Sequence, residues 1–206
     1  MERDLPMPRI QANPVSALFP ESGPVSVMIF GEAPGPRGAD QSGIPFWGDG
    51  AGITVYRALA ATGRAEVPEA AWGDWDGARF QALGLAPRLH GTALSNAYPA
   101  CPTKDGQHFH APSNRDLLDP TNLARLSREL ARAAAGQISP LRVIAFGKRA
   151  EWVLNRVTGT PSMEFHALPH PSAQGLLQGA PHRGKGLRLE DLRRAWQARL
   201  EDLLGS

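Results

Sequence analysis

Val25-Ser-Val-Met-Ile-Phe30 runs straight into Gly31-Glu-Ala-Pro-Gly-Pro-Arg-Gly-Ala-Asp-Gln-Ser-Gly-Ile-Pro-Phe-Trp-Gly48, and this junction decides the fold. The first six residues are nearly all apolar, the pattern of a short parallel strand covered on both faces. The 18 residues after them hold five glycines and three prolines. Such a composition builds a loop with restricted, unusual backbone angles and amides that a ligand can approach closely. Open α/β sheets bind their ligands where strands end in loops of this kind.

Outward from that junction, residues 92–97, Leu141–Phe146 and Met163–Leu168 read as three more strands of the same buried character. Helical patterns separate and follow them. Residues 51–62 are alanine-rich and stop before Gly63. Asp119-Pro120 reads as an N-cap with proline at the first helical position, and Leu123, Leu126, Leu130 and Ala134 then share one face. A helix over 148–157 follows the third strand, and Leu189, Leu192, Trp196, Leu200 and Leu203 line a C-terminal one. Strands alternating with helices predict an α/β fold: a single domain over 25–206, its central four-stranded parallel sheet covered by helices on both faces. Residues 1–24, with Pro6, Pro8, Pro14, Pro20 and Pro24, read as an irregular N-terminal arm. Trp72 and Trp75 fall outside these elements and are read as core.

Composition narrows the class. With 206 residues, 42% hydrophobic and 20% charged, the chain has room for one well-packed domain. No apolar run approaches the roughly 20 residues of a membrane helix, and the N-terminus has no apolar signal core, so a cytoplasmic protein is expected. Cys101 is the only cysteine, which rules out an intramolecular disulfide and any four-cysteine zinc or iron–sulfur site. A net charge of +2 allows local basic patches without demanding a polyanionic partner.

Three motifs carry chemistry. The glycine-rich loop has neither the lysine of a Walker motif nor GxGxxG spacing, and it closes on Phe46, a ring placed either to stack on something flat or to join the core. Leu94-Ser-Asn96-Ala97 ends a strand on an amide that can donate to a carbonyl and accept from a ring N–H. His170-Pro171-Ser172 follows the last strand. Each has a structural alternative: a tight loop, a strand-end turn, a satisfied histidine.

Their order and position at three strand ends resemble the uracil-DNA glycosylase superfamily, and Arg142-Val-Ile-Ala-Phe-Gly-Lys148 is similar to its third strand and turn. The Gly31-Glu-Ala-Pro-Gly35 opening is similar to family 4 enzymes, and the longer spacing onward to Gln41-Ser-Gly43 is closer to family 5 and the single-strand-selective branch. The resemblance implies that an extruded uracil stacks on Phe46, is read by Asn96 and meets loop residues Glu32, Ala33 and Gly35. It implies that His170 donates to the base oxygen as charge develops there. Family 1 has a water-orienting aspartate at the position of Ala33 and a tyrosine at that of Gly35, so the resemblance implies another acid and a roomier pocket. Asp40, seven residues after Ala33, matches the family 5 acid, with Asp49 and Glu32 as alternatives and a solvated turn as the bland reading. The iron–sulfur centre of family 4 cannot be built on Cys101 alone, and no cofactor is expected.

DNA is the expected partner, bound by a monomer at the nucleoid. Lys148, Arg149, Ser172, Arg183 and Lys185 are expected at phosphates, with Leu176 or Leu177 wedging into the duplex or serving as a hydrophobic anchor. His108-Phe-His110 has the look of a metal pair, but lacks further ligands at a recognisable spacing, so no metal is expected. The function expected is monofunctional hydrolysis of the N-glycosidic bond of uracil, and of other deaminated bases, without strand cleavage. A non-catalytic binder of uracil or abasic DNA and a small-molecule hydrolase on the same scaffold remain as alternatives.

Overall fold

A computed structural model describes residues 8–137 and 139–205. In chain order they form β1 (Val27–Gly31), α1 (Ala39–Ser42), α2 (Gly52–Ala61), β2 (Ala65–Glu66), α3 (Glu69–Trp72), α4 (Gly77–Leu83), β3 (Arg88–Leu89) and β4 (Thr92–Asn96). There follow α5 (Asn114–Leu117), α6 (Pro120–Ala134), β5 (Leu141–Phe146), α7 (Lys148–Leu154), β6 (Met163–Leu168), α8 (Ala173–Gly179), a 3-10 turn (Pro181–Gly184) and α9 (Leu189–Gly205).

The four apolar runs make one parallel sheet in the order β4-β1-β5-β6. From β1 the chain steps to β4 on one side and then to β5 on the other, so the strand order reverses between β1 and β5, the place where open α/β sheets form their ligand crevice. In register, Gly31 of β1 lies opposite Asn96 of β4. Side chains alternate across the sheet. Val27 and Ile29 pack with Val55 and Leu59 of α2 and Trp196, Leu200 and Leu204 of α9. Met28 and Phe30 pack with Leu126 and Leu130 of α6 and Val153 and Leu154 of α7. Helices therefore cover both faces, as expected.

Local signals held at α6, where the Asp119 carboxylate accepts from the Thr121 amide at 2.8 Å behind Pro120. Other details differ. Helix α7 stops at Leu154 rather than at 157. The buried stripe of α9 ends on Leu204, with Leu203 only half-buried. Strand β6 is an edge strand with Glu164 and Ala167 exposed, because only β5 flanks it. The arm's first seven residues, Pro6 and the expected lack of a signal core among them, lie outside the described residues. From residue 8 the arm is mostly irregular, but Leu18 and Leu94 exchange backbone hydrogen bonds of 2.9 Å in each direction, capping the free edge of β4.

The stretch without a sequence assignment supports the glycine-rich loop. Trp47, Tyr56, Trp75 and Phe80 form an aromatic nest with ring centroids 4.5–5.8 Å apart. Trp75 donates its indole N–H to the Asp49 carbonyl at 2.9 Å, and Trp47 donates to the Leu85 carbonyl at 2.9 Å. Two short helices and the antiparallel β2–β3 pair thus hold the loop's far end.

Candidate functional site

The carboxyl ends of the sheet open into a cavity of about 500 Å³. Its walls come from the glycine-rich loop (Glu32 to Pro36, Ala39, Phe46, Asp49, Ala51), from Asn96 after β4, from Arg149 after β5 and from His170, Ser172 and α8 after β6. Phe109 and Ala111 complete the wall.

Phe46 and Asn96 meet above Gly31. A Cβ on Gly31 would lie 2.6 Å from Asn96 Oδ1 and 2.7 Å from Phe46 Cε1, so only glycine lets the amide and the ring converge. Phe46 is held with φ of 61°, unusual for a bulky residue, and its ring sits edge-on to Phe146 at 5.7 Å. Asn96 is 3% exposed, and its Nδ2 has no hydrogen-bond partner. A buried amide donor left unpaired costs about 1–3 kcal/mol. Asn96 lines a cavity, where a carbonyl oxygen can satisfy that donor.

His170 is half-buried, and desolvation pushes its pKa down to about 4, so the ring is neutral at neutral pH. Its Nδ1 accepts the Ser172 backbone N–H at 3.2 Å, which leaves the ring proton on Nε2. The backbone before it is fixed by Trp196, whose indole donates to the Pro169 carbonyl at 2.8 Å. The result is a neutral imidazole donor on the same cavity as Asn96 and Phe46.

The acids divide sharply. Asp40 does not line the cavity. It is 4% exposed, and its carboxylate accepts from the Gln11 and Ala12 amides at 2.8 and 2.9 Å and from Gln41 Nε2 at 2.8 Å. It ties the arm to the loop, and neither oxygen is directed to the cavity where the resemblance would need it. Asp49 does line the cavity, and its Oδ1 accepts from the Gly52 amide at 2.6 Å. Burial pushes its pKa up to about 6, against the lowering pull of the Gly52 and Ala51 amides. Glu32 also lines the cavity; burial raises its pKa, partly offset by Arg149, whose Nε lies 3.2 Å from Glu32 Oε1. That ion pair lacks hydrogen-bond alignment, since the buried Arg149 Nε has no acceptor.

Of the other expected residues, Ala33, Gly35 and Ser172 line the cavity. Ser172 also caps α8, accepting from the Gly175 amide at 3.2 Å. Leu176 is 4% exposed within the core cluster, so it anchors α8 and does not stand out as a wedge. Leu177 is half-buried and packs against Gly184. Lys148, Arg183 and Lys185 are exposed and outside the cavity. Sequence reading missed Phe109, because nothing in the spacing of a long polar loop says which residue turns toward the strand ends. It set Arg149 among phosphate contacts rather than in the cavity wall.

A family model described as the uracil DNA glycosylase superfamily matches residues 20–198, most of the chain and all of the site just described. The chain belongs to the uracil DNA glycosylase superfamily. Among curated proteins, none matches it. Superfamily membership assigns glycosylase-type hydrolysis in DNA repair as the general activity, with DNA as substrate. Among the described residues of this uracil DNA glycosylase superfamily member, no helix is long and apolar enough to cross a membrane, and no group of three His, Cys, Asp or Glu is placed to hold a metal.

Proposed function

We propose that this chain hydrolyses the N-glycosidic bond of uracil in DNA, and that of related deaminated bases, to leave an abasic site. The single observation that carries this is the unpaired, buried Nδ2 of Asn96, on a cavity shared with Phe46 and a neutral His170. A flipped uracil fits those donors. Phe46 stacks on the ring, Asn96 donates to one carbonyl, and His170 Nε2–H donates to the other as the departing base gains negative charge. Breaking the bond also develops positive charge on the sugar and needs a positioned water.

Asp49 suits that role better than Asp40. Its carboxylate reaches the cavity wall, it is anionic above pH about 6, and one oxygen is pinned by Gly52. Gly35 puts no side chain on the cavity wall, which favours tolerance for bases beyond uracil. Lys148, Arg183 and Lys185, all exposed, suit contacts to phosphates of a monomer-bound strand.

The deciding experiment incubates excess protein with single- and double-stranded oligonucleotides carrying uracil, hypoxanthine, xanthine or thymine, followed by alkaline cleavage at abasic sites. Uracil release is expected without strand cleavage by the protein itself. Intact uracil strands after prolonged incubation, together with tight binding, would leave the non-catalytic binder that Ala33 motivates.

A further inference from the structure

Phe109 is a large apolar side chain left 41% exposed, and it stands on the wall of the cavity that also holds Phe46. A single exposed ring is ordinary on a protein surface. This one sits on backbone that cannot withdraw it. Thr103 and Phe109 form an antiparallel bridge, and the His110 amide donates to the Pro102 carbonyl at 2.9 Å. Between them Asp105 Oδ1 accepts from the Gln107 and His108 amides, each at 2.9 Å, and the Gly106 amide donates to Thr103 Oγ1 at 2.9 Å. The Ile10 amide, donating to the Gly106 carbonyl at 2.8 Å, ties this hairpin to the arm, and Arg149 donates to the Pro112 carbonyl on its other side.

The same hairpin also lines a second hollow, through Asp105, Gln107 and His108 together with Arg9. The cavity is larger than one extruded base requires. A pyrimidine's roughly eight non-hydrogen atoms, even at the 30 Å³ or so that liquid gives each water, fill less than half of it.

We propose that Phe109 is a second nucleobase platform, which stacks on the unpaired base adjoining the extruded nucleotide in the same strand. The proposal rests on the reading of the cavity as a uracil pocket. A strand whose extruded base enters between Phe46, Asn96 and His170 must leave over the cavity rim, where the next base meets a fixed apolar face. Stacking there tolerates any base, because every base offers a flat face, and is worth about tenfold in affinity per base. It pulls one flanking base out of the duplex stack or holds it in a single strand, and the backbone continues past the hairpin toward Arg9.

The test uses the full chain with Phe109→Ala, Phe109→Leu and Phe109→Trp. Three single-stranded oligonucleotides carry one uracil: one intact, two with the base on one side or the other replaced by a baseless tetrahydrofuran unit. The wild type is expected to lose about tenfold in kcat/KM when the base on one particular side is missing. Phe109→Ala and Phe109→Leu then process the intact strand at that lower rate and no longer distinguish it from the baseless ones. Phe109→Trp keeps the discrimination, and its emission, relative to wild type, is quenched by the intact strand more than by the baseless one. The proposal is overturned if Phe109→Ala matches wild type on the intact strand, or still discriminates as wild type does. A wild type that binds but releases no uracil removes the glycosylase reading alone; the quenching and the affinity of Phe109→Ala then decide the stacking.

Discussion

Gly35 and Asp49 share one space: a Cβ on Gly35 would lie 2.9 Å from Asp49 Oδ2. The other carboxylate oxygen is fixed on the Gly52 amide, so the group cannot simply swing away. Gly35→Ala is expected to displace the carboxylate and lower single-turnover uracil release about tenfold or more, while leaving Tm within a few degrees. Equal rates for the two proteins would show that Asp49 does not act through this geometry.

The two aspartates of the loop separate function from anchoring. Asp49→Asn should lower the single-turnover rate by about 10²-fold, typical of a positioned catalytic group. Asp40→Ala strips three donors of their buried carboxylate acceptor and should cost about 2–4 kcal/mol of stability, or roughly 5–15 °C in Tm. Its rate per folded molecule should stay within about threefold of wild type, against the 10²-fold of a group at the reacting centre. Thermal melts and single-turnover assays on both variants make the comparison.

Acidity should act through Asp49 and not through His170. Below the pKa of about 6 the Asp49 carboxylate takes up a proton, so the single-turnover rate should fall roughly tenfold per pH unit there and level off above. His170, at about 4, stays neutral through that range and adds no limb of its own. Stability follows the opposite pair of signs. His170 lies below its ordinary 6.5, so the unfolded chain protonates first and stability is lost as pH falls from 6.5 toward 4. Asp49 lies above its ordinary 3.8, so stability is lost as pH rises from 3.8 toward 6. The two offset each other between about 4 and 6. In Asp49→Asn, Tm should therefore decline steadily with acid below pH 6.5, where the wild type stays flatter.

Asn96 is the residue whose chemistry is least replaceable. Asn96→Asp exchanges an unpaired donor for an acceptor on the same buried atom position. Uracil release is expected to drop by about 10²-fold, since a site built to hydrogen-bond loses its partner and gains a repulsive one. A panel comparing uracil with cytosine oligonucleotides reads the change; unchanged uracil release would show that the amide does not face the base.

Much of this was legible in the amino-acid order. Short apolar runs ending at Gly31, Asn96 and Phe146, separated by helical patterns, can bury their backbone only as a covered parallel sheet, and such sheets place ligands at their carboxyl ends. That logic, with the three motifs, was enough to group Phe46, Asn96 and His170 on one cavity. Local order also fixed the Asp119–Pro120 helix start, because capping involves neighbours only.

What the order of residues left open is what long-range packing decides. Asp40 and Asp49 are both acids in one flexible-looking loop, and only the arm, supplying Gln11 and Ala12 amides, turns one of them away from the cavity into a buried strut. Leu176 and Leu177 read as equal candidates for a wedge until α8 rotates the first into the core. Phe109 gains its place through a hairpin pinned to residue 10, almost 100 positions earlier in the chain. Periodicity and capping are local properties, fixed by nearest neighbours. The direction of a loop side chain is settled by whatever distant segment satisfies its backbone, and that partner is known only once the chain has folded.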